Sequence, residues 1–461
     1  MLHENYLKSM FLAVLLVFSI ASVAHADYPA DALDKKIIIQ LLKDQKFDHL
    51  DKVLTRLQTR YEQGHTDELE VAHAFRAFAN SDPELDERLK TWLMQKPDSF
   101  AAHLAVAEYN LGIGWHARGT RWSKDTEKKQ FAKMQAYFRV AAENYTQASR
   151  LNPKLTLAYW GMIRLSYGLG GQGLTKQVMQ QGLQADPASY LIHYQYMWSL
   201  QPKWGGSIVE MKKHLETVRQ YYSTNPRLRN LEAFPDYVLA DGFPWNECKK
   251  ATPHFNMALG KGDLPYVYKE RAESYRCVKS NKAAISDYTK AIVLQPQSPR
   301  YLQSRGYMYY QMKEYQKALT DLDEAIELDR MHPKALLTRG RVYYQLKKPD
   351  DALRDLNDAL NYGSQNKKTH IYLGYVYYYQ KKNYVMAVSH LKEAIALGEN
   401  NPATHYLLAA ALWHEQDCNF VGTANDYVQL CVDNRKCKNE NVEWAQKSVE
   451  HAIARGICPQ K

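Results

Sequence analysis

From residue 265 onward, small side chains return at a fixed interval among larger apolar ones. Take Pro265, Pro299, Pro333, Lys367 and Pro402 as first positions of successive units. The eighth position then holds Ala272, Gly306, Gly340, Gly374 and Ala409. With one residue inserted in the fourth unit, the twentieth position holds Ala284, Ala318, Ala352 and Ala387, and the twenty-seventh Ala291, Ala325, Ala359 and Ala394. Bulky residues fill the spaces between: Tyr275, Tyr309, Tyr343 and Tyr377 at the eleventh, and Tyr288, Leu322, Leu356 and Leu391 at the twenty-fourth. The pattern predicts two antiparallel helices per unit, with short side chains where the axes approach and large ones in the holes.

Pro265, Pro299 and Pro333 are spaced 34 residues apart, and a repeat of this length and placement resembles the tetratricopeptide-repeat family over residues 265–401. The resemblance implies an all-α fold, an α-solenoid of helix-turn-helix repeats. A fifth unit opens with Pro402 to Trp413, but its pattern resumes only at Trp444-Ala445 and Ala452. The expectation is a unit split by an insert of about 24 residues that holds Cys418, Cys431 and Cys437, a cap over the last exposed face. A partner-specific loop is the alternative.

The amino-terminal half repeats less regularly. Asn152-Pro153 and Asp186-Pro187 are again 34 apart, and Lys96-Pro97 and Asn225-Pro226 look alike at irregular spacing. Degenerate helix pairs with insertions are expected. Phe47-x-x-Leu50, Arg60-Tyr61-Glu62, Trp92 with Pro97-x-Ser99, Trp115-x-x-Arg118-Gly119, Leu200-x-Pro202-x-Trp204-Gly205-Gly206-Ser207 and Asn225-Pro226-Arg227-Leu228 resemble a bacterial domain of unknown function that precedes such repeats. The expected division is a signal peptide at 1–26, a helical domain at 27–260, four regular repeats at 265–401 and the split fifth repeat at 402–461.

The signal reading rests on Lys8, the apolar stretch Phe11 to Ile20 and the small-residue exit Ala24-His25-Ala26. The apolar run is shorter than the roughly 20 residues that span a bilayer, so an exported chain, periplasmic or secreted, with no integral membrane segment after cleavage is expected. Cys248, Cys277, Cys418, Cys431, Cys437 and Cys458 all lie in the second half. In an oxidising compartment they read as disulfides of open connectivity, and no CxxC pair suggests zinc. The net charge of +10 comes from 60 basic residues interspersed with 50 acidic ones, a solvated surface rather than a nucleic-acid footprint.

Three sets of residues carry candidate roles. Arg271, Arg305 and Arg339 recur at position seven and Asp287, Asp321 and Asp355 at position twenty-three, as structural ion pairs would; a ligand-binding arginine row is the alternative. The concave surface of such repeats is lined by positions two, five, nine and twelve of the first helices. These place Arg300, Tyr307, Tyr310, Lys334, Arg341, Tyr344, Lys368, Tyr375, Tyr378, Tyr406 and Trp413 in an aromatic groove with a basic rim, suited to an extended peptide, a protein or a glycan. The two-carboxylate clamp of some family members is not expected, because Glu273 stands where an asparagine is wanted.

Catalytic signals are thin. Trp204-Gly205-Gly206-Ser207 lacks the nucleophile-elbow pattern and reads as a turn. No metal, phosphate or dinucleotide motif appears, and no cofactor is expected. The sequence therefore predicts an exported scaffold for protein–protein interaction that is not an enzyme. The alternative is an envelope-glycan-binding protein, or a glycan-acting enzyme with its site near Trp115, Arg118 and Trp204.

Overall fold

The computed structural model describes residues 35–80, 82–119, 126–168, 171–363, 366–434, 437–455 and 458. The expected signal segment, 1–26, lies outside them. Among the described residues there are 23 α-helices and no strand.

The amino-terminal array comprises α1 (Lys35–Lys43), α2 (Phe47–Glu62), α3 (Glu68–Phe75), α4 (Glu84–Gln95), α5 (Phe100–Arg118) and α6 (Lys128–Leu151). It continues with α7 (Thr156–Gly168), α8 (Gln172–Ala185), α9 (Tyr190–Ser199), α10 (Ile208–Val218), α11 (Phe234–Asp241) and α12 (Cys248–Lys261). One continuous apolar core runs from Ile38 to Val267, so no boundary separates this array from the first repeat. Two buried carboxylates inside it are satisfied by partners on other helices. Glu108, fully buried, takes both carboxylate bonds from Arg164 Nη1 at 3.1 Å and a third from the Tyr145 hydroxyl at 2.6 Å. Glu68 accepts from the Ser189 hydroxyl and from the Leu191 amide at 3.0 Å, capping α9 from another helix; burial pushes its carboxyl up to about 7.

The regular repeats follow as α13 (Pro265–Cys277) with α14 (Asn281–Leu294), α15 (Pro299–Gln311) with α16 (Tyr315–Leu328), and α17 (Pro333–Gln345) with α18 (Pro349–Tyr362). The fourth pairs α19 (Lys367–Tyr375) with α20 (Tyr384–Ala396). Proline opens three of the four first helices, where its missing N–H has no partner to lose. The small positions are enforced by contact. A Cβ at Gly306, Gly340 or Gly374 would stand 2.9, 2.9 or 2.7 Å from Leu322, Leu356 or Leu391 of the facing helix. Each pair is joined at a residue with positive φ, Lys279, Lys313, Lys347 or Lys382.

The fifth unit differs from its sequence reading. The segment read as an insert forms α22 (Asn419–Asn434), which packs directly on α21 (Pro402–His414). Gln416 takes the same positive-φ turn as the lysines, so α22 stands where a second repeat helix belongs. Trp444, Ala445 and Ala452 instead lie on a further helix, α23 (Asn439–Ala454). The sequence pattern misled because Phe420, Ala424, Tyr427 and Cys431, buried on α22, fall one residue out of the regular register.

Disulfides tie the array together. Cys248–Cys277 joins α12 to α13, Cys418–Cys458 closes the capping helices, and Cys431–Cys437 links α22 to the approach of α23. The amino-terminal array also curls back on the second repeat. The Lys35 ammonium donates to the Leu328 carbonyl at the end of α16, and Lys36 pairs with Glu327 at 2.8 Å. A lysine at a helix carboxyl terminus meets carbonyls that have no intrahelical donor. Burial holds its ammonium down at about 8.

Candidate partner-binding groove

The position-seven arginines and position-twenty-three aspartates meet in bidentate pairs. Arg271 reaches Asp287 through Nε and Nη2 at 2.7 and 2.8 Å, Arg305 reaches Asp321 at 2.8 Å through both, and Arg339 reaches Asp355 at 2.7 and 2.8 Å. The remaining nitrogen, Nη1, donates to the second helix of the unit before: Asn256 on α12, Thr289 on α14, Asp323 on α16. Each guanidinium thus joins its own repeat and the preceding one. In the fourth unit Leu373 and His390 replace the pair, and His390 meets His370 with Nδ1 atoms 3.1 Å apart.

The inner-face residues are brought together unevenly. Arg341 on α17 is the hub: its guanidinium carbon lies 4.5 Å from the Tyr310 ring, 4.8 Å from Tyr372 and 5.5 Å from Tyr307. The Tyr310 and Tyr372 hydroxyls are 3.2 Å apart. Tyr344 packs on Tyr372 and Tyr375, each at 6.1 Å between centroids. Tyr378 contacts Tyr379, Tyr384 and His414. Arg300, Lys334 and Lys368 are exposed beside this row.

Tyr406 and Trp413 are placed otherwise. Tyr406 packs 5.4 Å from Tyr427 and 5.2 Å from Trp444, and Trp413 packs 5.0 Å from Phe420 and 6.1 Å from His451. Both belong to the hydrophobic cluster that α22 and α23 close, so the cap takes up their aromatic surface. Sequence reasoning in turn missed Tyr372, Tyr379, Arg276 and Trp245. Trp245, 55% exposed, precedes α12 and shares Arg276 with Tyr307, at 4.9 and 5.9 Å. Glu273, the residue that argued against a clamp, is held by Arg276 at 2.6 Å and by the Tyr288 hydroxyl at 2.8 Å.

Several residues weighed for catalysis have partners within the fold. Ser207 caps α10, accepting from the Glu210 amide and donating to its carboxylate at 2.8 Å. A Cβ on Gly206 would lie 2.3 Å from the Leu200 carbonyl oxygen, so the close backbone approach demands glycine there. Trp115 packs edge-on against Phe138, and Arg118 lies over Phe131. His116 borders a cavity of about 290 Å³ with Tyr109, Lys133, Tyr137 and Met331; burial lowers its pKa. Among the described residues no group of His, Cys, Asp or Glu side chains could hold a metal ion.

Comparison with known proteins agrees with this architecture. Residues 306–347 match the TPR repeat family and residues 337–402 the tetratricopeptide repeat family; this part of the chain is a tetratricopeptide-repeat solenoid, a class of protein-protein interaction scaffold. Residues 35–182 match a domain of unknown function, DUF4034, so along this chain a DUF4034 match is followed by the matches to tetratricopeptide repeats. No curated protein matches it in sequence. Similar solved structures include PilF of Pseudomonas aeruginosa, 20% identical, covering 48% of this chain and 98% of that one with a TM-score of 0.42. YrrB, reported as a TPR protein with an unusual peptide-binding site, is 15% identical over 42% of this chain and 97% of that one, with a TM-score of 0.34. The Cut9–Hcn1 hetero-tetramer of the APC/C is 13% identical over 90% and 95%, with a TM-score of 0.42.

Proposed function

We propose that this chain is an exported scaffold that holds an extended segment of another protein along the inner face of its second to fourth repeats. The observation that carries the reading is Arg341, a cation enclosed by Tyr307, Tyr310 and Tyr372 from two other repeats. Such a cluster offers flat apolar area, hydroxyl groups and a positive charge at one place, the chemistry of an interface anchor. Arg300, Lys334 and Lys368 form its basic rim. Tyr406 and Trp413, engaged with the cap, lie outside the proposed contact area.

Export is supported by the amino-terminal sequence pattern and by three disulfides, which persist in oxidising compartments. No described helix is long and apolar enough to cross a membrane. The test is recovery of partners from an envelope extract with the wild type and a Tyr344→Ala/Tyr378→Ala double variant. The double variant is expected to lose them while keeping its helical circular dichroism; equal recovery would refute the groove. Cell fractionation with mass mapping in the absence of reductant checks compartment and pairing together.

A further inference from the structure

The fourth repeat departs from the others by one residue, and the departure has a structural result. Its first helix ends in a π-helical turn, Val376–Lys381, so the αL residue falls at Lys382, one position later than Lys313 and Lys347 in their units. The Gln380 side-chain amide donates to the Tyr344 carbonyl at 2.8 Å and fixes this turn against α17. Single π turns are uncommon and concentrate at functional positions. Here the turn presents Tyr379, 48% exposed, where the second and third repeats carry Gln311 and Gln345. Tyr379 lies 6.2 Å from Tyr375 and 4.9 Å from Tyr378. With Tyr344 and Tyr372 these rings make an unbroken aromatic shelf across two repeats.

We propose that this shelf takes a proline-rich segment in the polyproline II conformation, with acidic residues at the end lying toward Arg300 and Lys334. The proposal rests on the groove reading above and adds the chemistry of the occupant. Proline rings pack flat on aromatic faces, and a polyproline helix needs no pairing edge, which the described residues lack. Its carbonyls are free acceptors and its prolines carry no N–H. The shelf supplies matching donors. Burial pushes the Tyr344 and Tyr378 phenols up to about 12, so they keep their protons. The tyrosine rings bring no charge, whereas the flank is net basic: Arg300, Lys269 and Arg276 stand near Lys334, against Glu273 and the Glu270 paired to Lys269. Charge complementarity therefore asks for a neutral stretch followed by carboxylates.

The experiment is fluorescence polarisation on the full chain. The probe is a labelled peptide of about eight prolines, roughly 25 Å long in this conformation, followed by two glutamates. Controls replace the prolines by Gly-Ser or the glutamates by lysines. The proline–glutamate peptide is expected to bind at least about tenfold more tightly than either control, and Tyr379→Gln, which installs the residue of the second and third repeats, is expected to weaken it about 3- to 10-fold with the far-UV spectrum unchanged. Equal binding of the Gly-Ser peptide, or indifference to Tyr379→Gln, overturns the proposal. A partner that the Tyr344→Ala/Tyr378→Ala variant releases, but whose bound segment contains no proline, overturns it as well and leaves the groove standing.

Discussion

The amino-terminal array and the repeats solve one problem, tying helices together through buried charge, in different ways. The repeats use the same bidentate arginine–aspartate pair three times, each open to solvent along the arginine. The amino-terminal array instead gathers Tyr145 and Arg164, from the two helices that follow, on Glu108; the carboxylate is fully buried and the arginine is about as exposed as those of the repeats. A periodic device spreads its load over neighbours. A unique one concentrates it, and this asymmetry predicts where each half fails.

The largest effect is expected at Glu108. Glu108→Ala removes the carboxylate that the Arg164 guanidinium and the Tyr145 hydroxyl share, leaves that buried hydroxyl without its acceptor and should cost about 3–5 kcal/mol in urea unfolding; a loss below about 1 kcal/mol would mean that the network is not what holds these helices. Next come the disulfides of the cap. Removing Cys418–Cys458 reopens a 40-residue separation and should cost about 3 kcal/mol. Hydrogen exchange should show the loss concentrated in α22 and α23, with the amino-terminal array protected as before.

Acid should act on the amino-terminal array at an intermediate scale, as it should on the His370–His390 pair of the fourth repeat. In the amino-terminal array His193 Nε2 donates to the Pro187 carbonyl at 2.9 Å, which leaves its Nδ1 to accept from His214 Nε2 at 3.0 Å. The pair is built for two neutral rings, packed against Tyr196 and Tyr221 with Asp186 nearby. Burial and then His193 hold His214 down at about 3, and burial lowers His193. The unfolded chain therefore takes up protons that the folded one refuses. Stability contributed by the neutral rings is complete above the ordinary histidine value near 6.5 and is lost as pH falls below it. Between pH 7 and 5 this pair should lose about 2 kcal/mol, read as the wild-type pH dependence minus that of His214→Phe, because Glu68, held up at about 7, gains stability over the same range; identical pH dependence in the two proteins would contradict the assignment.

Smaller effects are expected in the repeats. Asp321→Ala should cost about 1–2 kcal/mol, because Arg305 keeps Thr289 and contact with water. In a double-mutant cycle with Arg305→Ala, the losses should fall short of additivity by about 1 kcal/mol, and strictly additive losses would rule the pairing out. Lys347→Gly removes a Cβ from an αL site with φ of 57°. A stabilisation below about 1 kcal/mol is expected, the relief of αL strain being partly offset by backbone entropy, read as a small rise in melting temperature.

The fold was legible where one residue type had to recur. Glycine and alanine at positions eight, twenty and twenty-seven are demanded by helix contact, and contact repeats with the chain. The aromatic cluster of the proposed contact area was legible in part: Arg341, Tyr344 and Tyr375 were named from position alone and do lie among its rings. Tyr379 could not be, because a register built on regular α-turns gives no account of a π turn, and Tyr372, ahead of that turn at position six, lay outside the four positions read. The one-residue insertion was its visible sign.

The sequence by itself determined the repeat length, the pairing of helices, and which arginine and aspartate positions face each other, because short-range periodicity dictates these. Tertiary structure alone decided that α22 completes the fifth repeat, that α23 covers Tyr406 and Trp413, and which cysteine meets which. It also decided that α1 returns to the end of α16, where lysines find carbonyls that a helix leaves unpaired. Such contacts join residues hundreds of positions apart, and nothing local in the chain encodes a partner at that distance.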